Sequence, residues 1–388
     1  MDRRKFFHIA TATGAGIAAG ALIGKPIAAA MPQTQQQPVK PATNIEDALK
    51  IPRTASSMPG RYPAKVVKAT NPNSVVNDVP VESVAYEMLA KSMILLTGEK
   101  DLAVAWRQFV SPNEIIGLKV NPIGKAVLSS SHAVVKSVIK QMEEAGIPRN
   151  HIVIWDRRGE ELEEAGFTAE NYPGIKISST EYKENGAYYG TDGKLLSEHR
   201  IDKDLYYWAD CEDEYNAYTL PFMVNEGKYS YFTKICTQEV DKIINIPIMK
   251  NAGAAVTLCL KNLAFGSITN TGRLHSRNHG SLWHETCAQV CAFPPIRDKV
   301  VLNIADGLRG CYDGGPAANP QFICEYHTLL VGTDAVAVDR IGHEIIIGRR
   351  IAEGRQSEDT PAGIAKLLMA QGYGLGTADH SKIQLLEI

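Results

Sequence analysis

Four short, nearly unbroken apolar runs, each followed closely by polar or charged residues, constrain this chain most. Glu114–Val120 (EIIGLKV) leads into Asn121 and Pro122, and His151–Trp155 (HIVIW) leads into Asp156. Lys242–Ile248 (KIINIPI) precedes Lys250 and Asn251, and Val300–Ile304 (VVLNI) precedes Asp306 and Gly307. Apolar runs of this length, rich in Ile and Val, read as buried strands. Segments of helical spacing lie between them. Val81–Leu96 repeats through Val84, Met88 and Ser92. A second helix is capped by Ser131, carries Val134, Val135, Val138, Ile139 and Met142, and is stopped by Gly146 and Pro148. Ala254–Leu263 reads as a third. Strands are also expected at Lys65–Ala69, Thr328–Val331 and Lys382–Leu386, a helix behind the cap Asp334, and a last helix at Ala362–Ala370. Strand, helix, strand in this order predicts an α/β fold: a mainly parallel sheet with crossover helices on both faces.

Residues 167–235 break the rhythm with tyrosines and acids, as in DLYYWADCEDEYNAY, and read as an inserted subdomain or lid. A solvated surface insertion is the plainer alternative. Residues 31–60, rich in Pro, Gln, Thr and Ser, read as a flexible linker, so the α/β domain is expected over 61–388. Ahead of them Arg3, Arg4, Lys5, Phe6 and Phe7 resemble the head of a twin-arginine export signal. A weakly apolar, glycine-rich stretch comes next, and Ala28–Ala30 offers a small-residue cleavage site. The stretch is short for a span of about 20 residues. The expectation is a signal peptide over 1–30 cleaved after about Ala30, the twin-arginine translocase as partner during export, and a periplasmic protein with no stable membrane span after cleavage.

With 44% hydrophobic and 22% charged residues the chain can bury a large core. Its formal net charge of -2 and the lack of a basic-aromatic platform give no reason to expect a nucleic-acid partner. Seven cysteines are present, an odd number, so at least one is free, ligates a metal or pairs with another chain. None forms a Cys-x-x-Cys pair, which argues against a ferredoxin-type cluster and a thioredoxin-like site.

Ligands of open parallel sheets bind outside the carboxyl ends of the strands. Lys119, Asn121, Asp156, Lys250, Asn251 and Asp306 fall at such ends. In Lys250–Gly266 (KNAGAAVTLCLKNLAFG), Thr257 and Lys261 are four apart and share a face if helical, and Lys250 lies about three turns earlier. With Asn262 and the helix start near Gly253, these lysines suit a phosphate or carboxylate, although a solvated amphipathic helix fits the same pattern. Downstream, TGRLHSRNHGSLWHE brings Arg273, His275, His279 and His284 together, and neutral imidazoles can ligate a transition metal. Cys287 and Cys291 can add thiolates or serve as small buried residues. Anion binding by the arginines, or acid–base work by one histidine, are the competing uses. Ala305–Pro316 (ADGLRGCYDGGP) reads as a glycine-rich loop that is neither a P-loop nor a dinucleotide fingerprint.

Taken together, IIGLKVNPIG, IPIMKNAGAAVTLCLKNLAFG, VLNIADGLRGCYDGGP and LLVGTDAVAVDRIGHEIIIG, in that order and spacing, resemble the family called domain of unknown function 362 from about Val66 onward. Asp334 and Asp339 stand at matching places. The resemblance implies an α/β fold and a site using Lys119, Asn121, Lys250, Thr257, Lys261, Asn262, His279 and Asp306. Some similar proteins carry ferredoxin-like cysteine motifs that this chain lacks, so no iron–sulfur cluster is expected.

The leading expectation is a periplasmic, metal-dependent enzyme acting on a small anionic substrate. Lys119, Lys250, Lys261 and His279 would be catalytic, and Asn121, Thr257, Asn262 and Arg273 would bind the small-molecule ligand. His275, His279, His284 and Asp306 would hold a transition metal. The alternative is a non-catalytic binding or accessory protein of a periplasmic redox or envelope assembly.

Overall fold

The structure is a computed structural model that describes residues 40–211, 228–252, 255–275 and 282–388. In chain order α1 (Ile45–Leu49) precedes β1 (Lys65–Thr70) and a small ribbon of β2 (Val75–Val76) and β3 (Val79–Pro80). Next come α2 (Glu82–Thr97), α3 (Leu102–Arg107), β4 (Ile116–Lys119), α4 (His132–Glu144), β5 (Ile152–Arg158), α5 (Gly159–Glu164) and β6 (Lys176–Glu181). Past β7 (Ile201–Trp208) and β8 (Tyr229–Thr233) come β9 (Lys242–Asn245), β10 (Ile248–Ala252), β11 (Ala255–Thr257), α6 (Cys259–Ser267) and α7 (Trp283–Ala292). The chain closes with α8 (Pro294–Arg297), β12 (Val300–Gly315), β13 (Ile323–Gly332), α9 (Ala335–Ala352), α10 (Ala365–Gly372) and β14 (Gln384–Glu387).

One sheet runs in the order β14-β1-β13-β12-β9-β4-β5-β6, with β10 added beside β12 and β11 beside β10. The stretch β12, β9, β4, β5, β6 is parallel throughout, while β13 is antiparallel to both its neighbours. The sheet is therefore mixed but mostly parallel, as the apolar runs predict. Strand alternation sends Ile152 and Ile154 into a core shared with Leu89, Trp106, Val135 and Met142 on α2, α3 and α4. Val153 and Trp155 face the opposite core, built from α6, α7, α9 and α10. Both faces are thus covered. The expected caps are present: the Ser131 side chain accepts from Val134 N, and Asp334 from Ala337 N.

Four local expectations are corrected. First, the tether over 31–60 is packed from Lys40 onward: Met58 and Ala48 are fully buried, Met58 N donates to Arg297 O at 2.7 Å, and Lys40 pairs with Glu285. Second, the insertion begins later than 167, because Phe167 and Tyr172 fill the core and β6 extends the sheet. Beyond β6 lies an antiparallel ribbon of β7 and β8 whose Tyr207 and Phe232 are buried in the main core. Third, the start of the expected helix Ala254–Leu263 is a strand: β11 pairs with β10, Lys250 opposite Thr257, and α6 begins only at Cys259. Fourth, Ala305–Gly315 of ADGLRGCYDGGP belong to the 16-residue strand β12. Its glycines permit close backbone approach: a Cβ on Gly310 would lie 2.3 Å from Met249 O, and one on Gly315 2.0 Å from Asn251 O.

Candidate functional site

The break between β9 and β10 places the site. Pro247 has no N–H to continue a ladder, and its carbonyl instead accepts from Asp306 N at 2.8 Å. The chain then resumes as β10 along the second half of β12. That step brings Lys250 to the carboxyl end of β4, where Lys119 and Asn121 stand. Lys250 Nζ donates to Asn121 Oδ1 at 2.9 Å. Lys119 Nζ forms an ion pair with Asp156 and donates to Val120 O at 2.8 Å and to Asn262 Oδ1 at 3.1 Å. Asn121 Nδ2 shares that acceptor, also at 3.1 Å. Helix α6 fits over these groups only because Gly266 has no side chain: a Cβ there would lie 2.1 Å from Lys119 Cε.

Lys261 stands nearer the start of α6, with its ammonium over the rings of Trp283 (5.2 Å) and Phe265 (5.6 Å). Among the described residues it has no oxygen partner. Thr257 Oγ1, also buried, makes no hydrogen bond among them either. Lys366 on α10 reaches the same region, donating to Val256 O and lying 5.0 Å from the Trp283 ring.

Burial governs these amines. It pulls Lys250 down to about 7, and the charge of Lys261 lowers it further. Burial brings Lys261 down to about 8. Lys119 and Lys366 are pushed below the ordinary lysine value by burial, against the pull of Asp156 on the first and Asp339 on the second. Lys250 and Lys261, which have no carboxylate partner among the described residues, therefore sit close to the point where charged and neutral forms balance at neutral pH.

Behind the lysines runs a chain of asparagines. Asn262 Nδ2 donates to Asn245 Oδ1 at 2.8 Å, and Asn245 Nδ2 to Asn303 Oδ1 at 2.9 Å. Asn303 Nδ2 ends on Thr333 O at 3.1 Å. Asn245 and Asn303 were missed in the sequence, although both interrupt apolar strands (KIINIPI, VVLNI), where a buried amide has to find partners.

The structure thus unites Lys119, Asn121, Lys250, Thr257, Lys261 and Asn262, but Thr257 arrives across a hairpin and not along a helical face. Other expected members are placed elsewhere. The Asp306 carboxylate is occupied by two backbone donors, Ser131 N at 2.7 Å and Leu308 N at 3.1 Å, so it anchors the start of α4. Arg273 donates to Ala209 O (2.9 Å), Cys211 O (3.3 Å) and Ser230 Oγ (2.8 Å), which fastens the β7–β8 ribbon. His275 Nδ1 faces Thr271 O at 3.0 Å and its ring packs on Phe265. His284 stacks edge-on against Trp283, and burial together with the charges of Lys366 and Lys40 holds its pKa down to about 4. His279 lies outside the described residues, as do Gly253 and the segment 1–39. Among the described residues no three His, Cys, Asp or Glu side chains gather as a metal site. All seven cysteines are buried, and burial lifts Cys287 to about 12, far from a ready thiolate. A cleft of about 430 Å³ opens beside the start of α4, lined by Leu128, His132, Ile248, Asp306 and Arg309, and none of the amines lines it.

Fold and site together define an α/β protein with a buried, lysine-lined polar centre at the carboxyl ends of its parallel strands. The chain belongs to the family described as Domain of unknown function (DUF362), whose model matches residues 116–344. That match takes in nearly all of the four stretches that carry the resemblance, leaving out only Ile115 and Ile345–Gly348. No curated protein matches the chain in sequence. A crystal structure of a protein from Thermotoga maritima is similar with a TM-score of 0.37 and 9% identity, over 72% of this chain and 61% of that one. No helix among the described residues is long and apolar enough to cross a membrane.

Proposed function

We propose that this protein is an enzyme acting on a small anionic substrate held between Lys250 and Lys261. One observation carries the reading: among the described residues, two buried amines lack any carboxylate partner and stand near an unpartnered Thr257 hydroxyl. A phosphate or carboxylate would supply the missing charge and acceptors. Amines balanced between charged and neutral forms also suit proton transfer. Lys119, already paired with Asp156, orients the site, and Asn121 and Asn262 hold it in register. Phosphate, sulfate and small carboxylates should raise the melting temperature of the parent protein at pH 6.5, and Lys250→Met and Lys261→Met should remove that rise. Retention of the full anion response in both variants would rule the reading out. In its metal-dependent form the reading rests on His279. Elemental analysis of protein purified without affinity histidines or chelators tests it, with one equivalent of transition metal lost in His279→Ala as the supporting outcome.

The twin-arginine head suggests that the protein is exported folded and works in the periplasm after cleavage near Ala30. Replacing Arg3 and Arg4 with lysine should leave uncleaved precursor in the cytoplasm. Normal export of that variant would refute the assignment.

A second reading is a binding or accessory role in a periplasmic redox or envelope assembly. It is favoured by the tyrosines of the ribbon, where Tyr206 stacks on Tyr229 at 4.1 Å with Tyr231 edge-on to both. Such rigid amphipathic rings are common at interfaces. Tyr206→Ala with Tyr229→Ala should abolish co-purification of a partner while leaving the anion response intact, and unchanged co-purification counts against it.

A further inference from the structure

The asparagine chain has a direction, and backbone carbonyls fix it. Asn303 Nδ2 faces Thr333 O (3.1 Å) and Gly332 O (3.5 Å), so its amide must donate there and its Oδ1 is left to accept from Asn245. Asn245 Nδ2 also meets Cys259 O at 3.3 Å, so its own Oδ1 must point to Asn262. Asn262 Nδ2 meets Lys119 O at 3.3 Å, which turns its Oδ1 toward Lys119 Nζ and Asn121 Nδ2. Reversing any one amide would set donor against donor at one of its ends and acceptor against acceptor at the other. The polarity therefore propagates without choice until Asn121 Oδ1, an acceptor, faces Lys250 Nζ at 2.9 Å.

We propose that Asn303, Asn245 and Asn262 are positioning residues that act through Asn121 to fix how Lys250 is held, committing one N–H of its amine to the protein and leaving the remaining valences for the ligand. This inference rests on the reading that Lys250 is a working amine of the site. Asn245 and Asn303 touch no candidate ligand group themselves. A chain of aligned amides is polarised along its length, so the last oxygen is a better acceptor than an isolated amide, and it favours the charged form of the amine it meets. Asn245 and Asn303 sit deep in the sheet, on β9 and β12, where the strands are held in register by ladder bonds. That rigidity transmits the fixed orientation to β4 and β10. The other groups acting on Lys250 are Lys261 on α6, Cys311 on β12, Glu161 on α5 and Asp156 on β5, and replacing Asn245 with a neutral side chain leaves every one of those charges in place.

The test reads ionisation and needs no substrate. Lysine side chains carrying carbon-13 at Cε are titrated by NMR in the full protein, with Lys250→Met and Lys261→Met to assign the two signals. In Asn245→Leu the Lys250 midpoint should fall by about 0.7 pH unit, the worth of one net hydrogen bond, while the Lys261 midpoint stays put. Asn245→Thr, whose hydroxyl can still accept, should recover part of the loss. A folded Asn245→Leu with an unmoved Lys250 midpoint, or with Lys250 and Lys261 moving together, overturns the proposal. Should neither variant fold, the side-chain amide signals of the parent decide. Slowly exchanging pairs for all four asparagines support the relay, and rapidly exchanging amides overturn it. Loss of the anion response in Lys250→Met is a separate result, so the relay and the enzyme reading fail independently.

Discussion

At the scale of single residues, the molecule retains buried charge that its stability would not ask for. Lys250 and Lys261 are at least 94% buried and unpaired with any carboxylate among the described residues, although burying an amine without such a partner is costly. Replacing either with methionine, of similar length and apolar, should stabilise the fold by about 1–3 kcal/mol at neutral pH, measured by urea denaturation. The pH dependence has a definite sign. Burial takes Lys250 from 10.5 to about 7 in the folded protein. Between those values the unfolded chain holds a proton that the folded amine has released, so this residue makes stability rise with pH across that window. The advantage of Lys250→Met over the parent should therefore be largest below pH 7 and shrink towards pH 9. An advantage that is constant with pH would mean that Lys250 does not titrate as described.

At the scale of elements, close approach decides the architecture. Helix α6 lies on the Lys119–Asp156 pair across Gly266, and β12 runs against β10 across Gly310 and Gly315. Gly266→Ala and Gly310→Ala should each cost about 1–3 kcal/mol by overpacking, with Gly266→Ala also removing the anion response because Lys119 must move. Asp306 offers a contrasting case. Its carboxylate joins β12 to the start of α4 by accepting Ser131 N, so Asp306→Ala should lower stability by about 1–3 kcal/mol through an unpaired N–H. Bound metal, if present, and the anion response should both survive. Loss of metal from a stably folded Asp306→Ala would restore it as a ligand.

For the whole molecule, the ribbon of β7 and β8 is stitched to the domain by buried side chains. Tyr207 donates to Gln289 Oε1 at 2.8 Å, and Arg273 grips the carbonyls of Ala209 and Cys211. Arg273→Ala should speed hydrogen exchange in 201–211 and 228–233 while the lysine centre still answers to anions. Loss of the anion response with unchanged exchange would instead return Arg273 to the binding site.

The sequence by itself determined the strands β1, β4, β5, β9, β13, β14 and the first part of β12, the long helices α2, α4 and α9, and the two-faced sheet, because short apolar runs and capping residues act locally and their periodicity survives any topology. It also marked Lys119, Asn121 and Lys250, since charge and amide groups at the ends of apolar strands need a reason, and it marked Lys261 and Asn262 by the polar pattern within Lys250–Gly266. Only the tertiary structure decided how those groups meet. The hairpin of β10 and β11 looks helical in sequence because Ala-rich segments suit either form, and pairing with β12 tipped it to strand. The glycines of ADGLRGCYDGGP look like a loop until a neighbouring backbone is seen within reach of the missing Cβ atoms. Asp306 and Arg273 look like ligand-binding groups until their partners, 175 and 62 to 64 residues away in the chain, are in place. Hydrogen bonds between distant residues leave no period in a sequence, and so the division between structural and working polar groups was made by the fold.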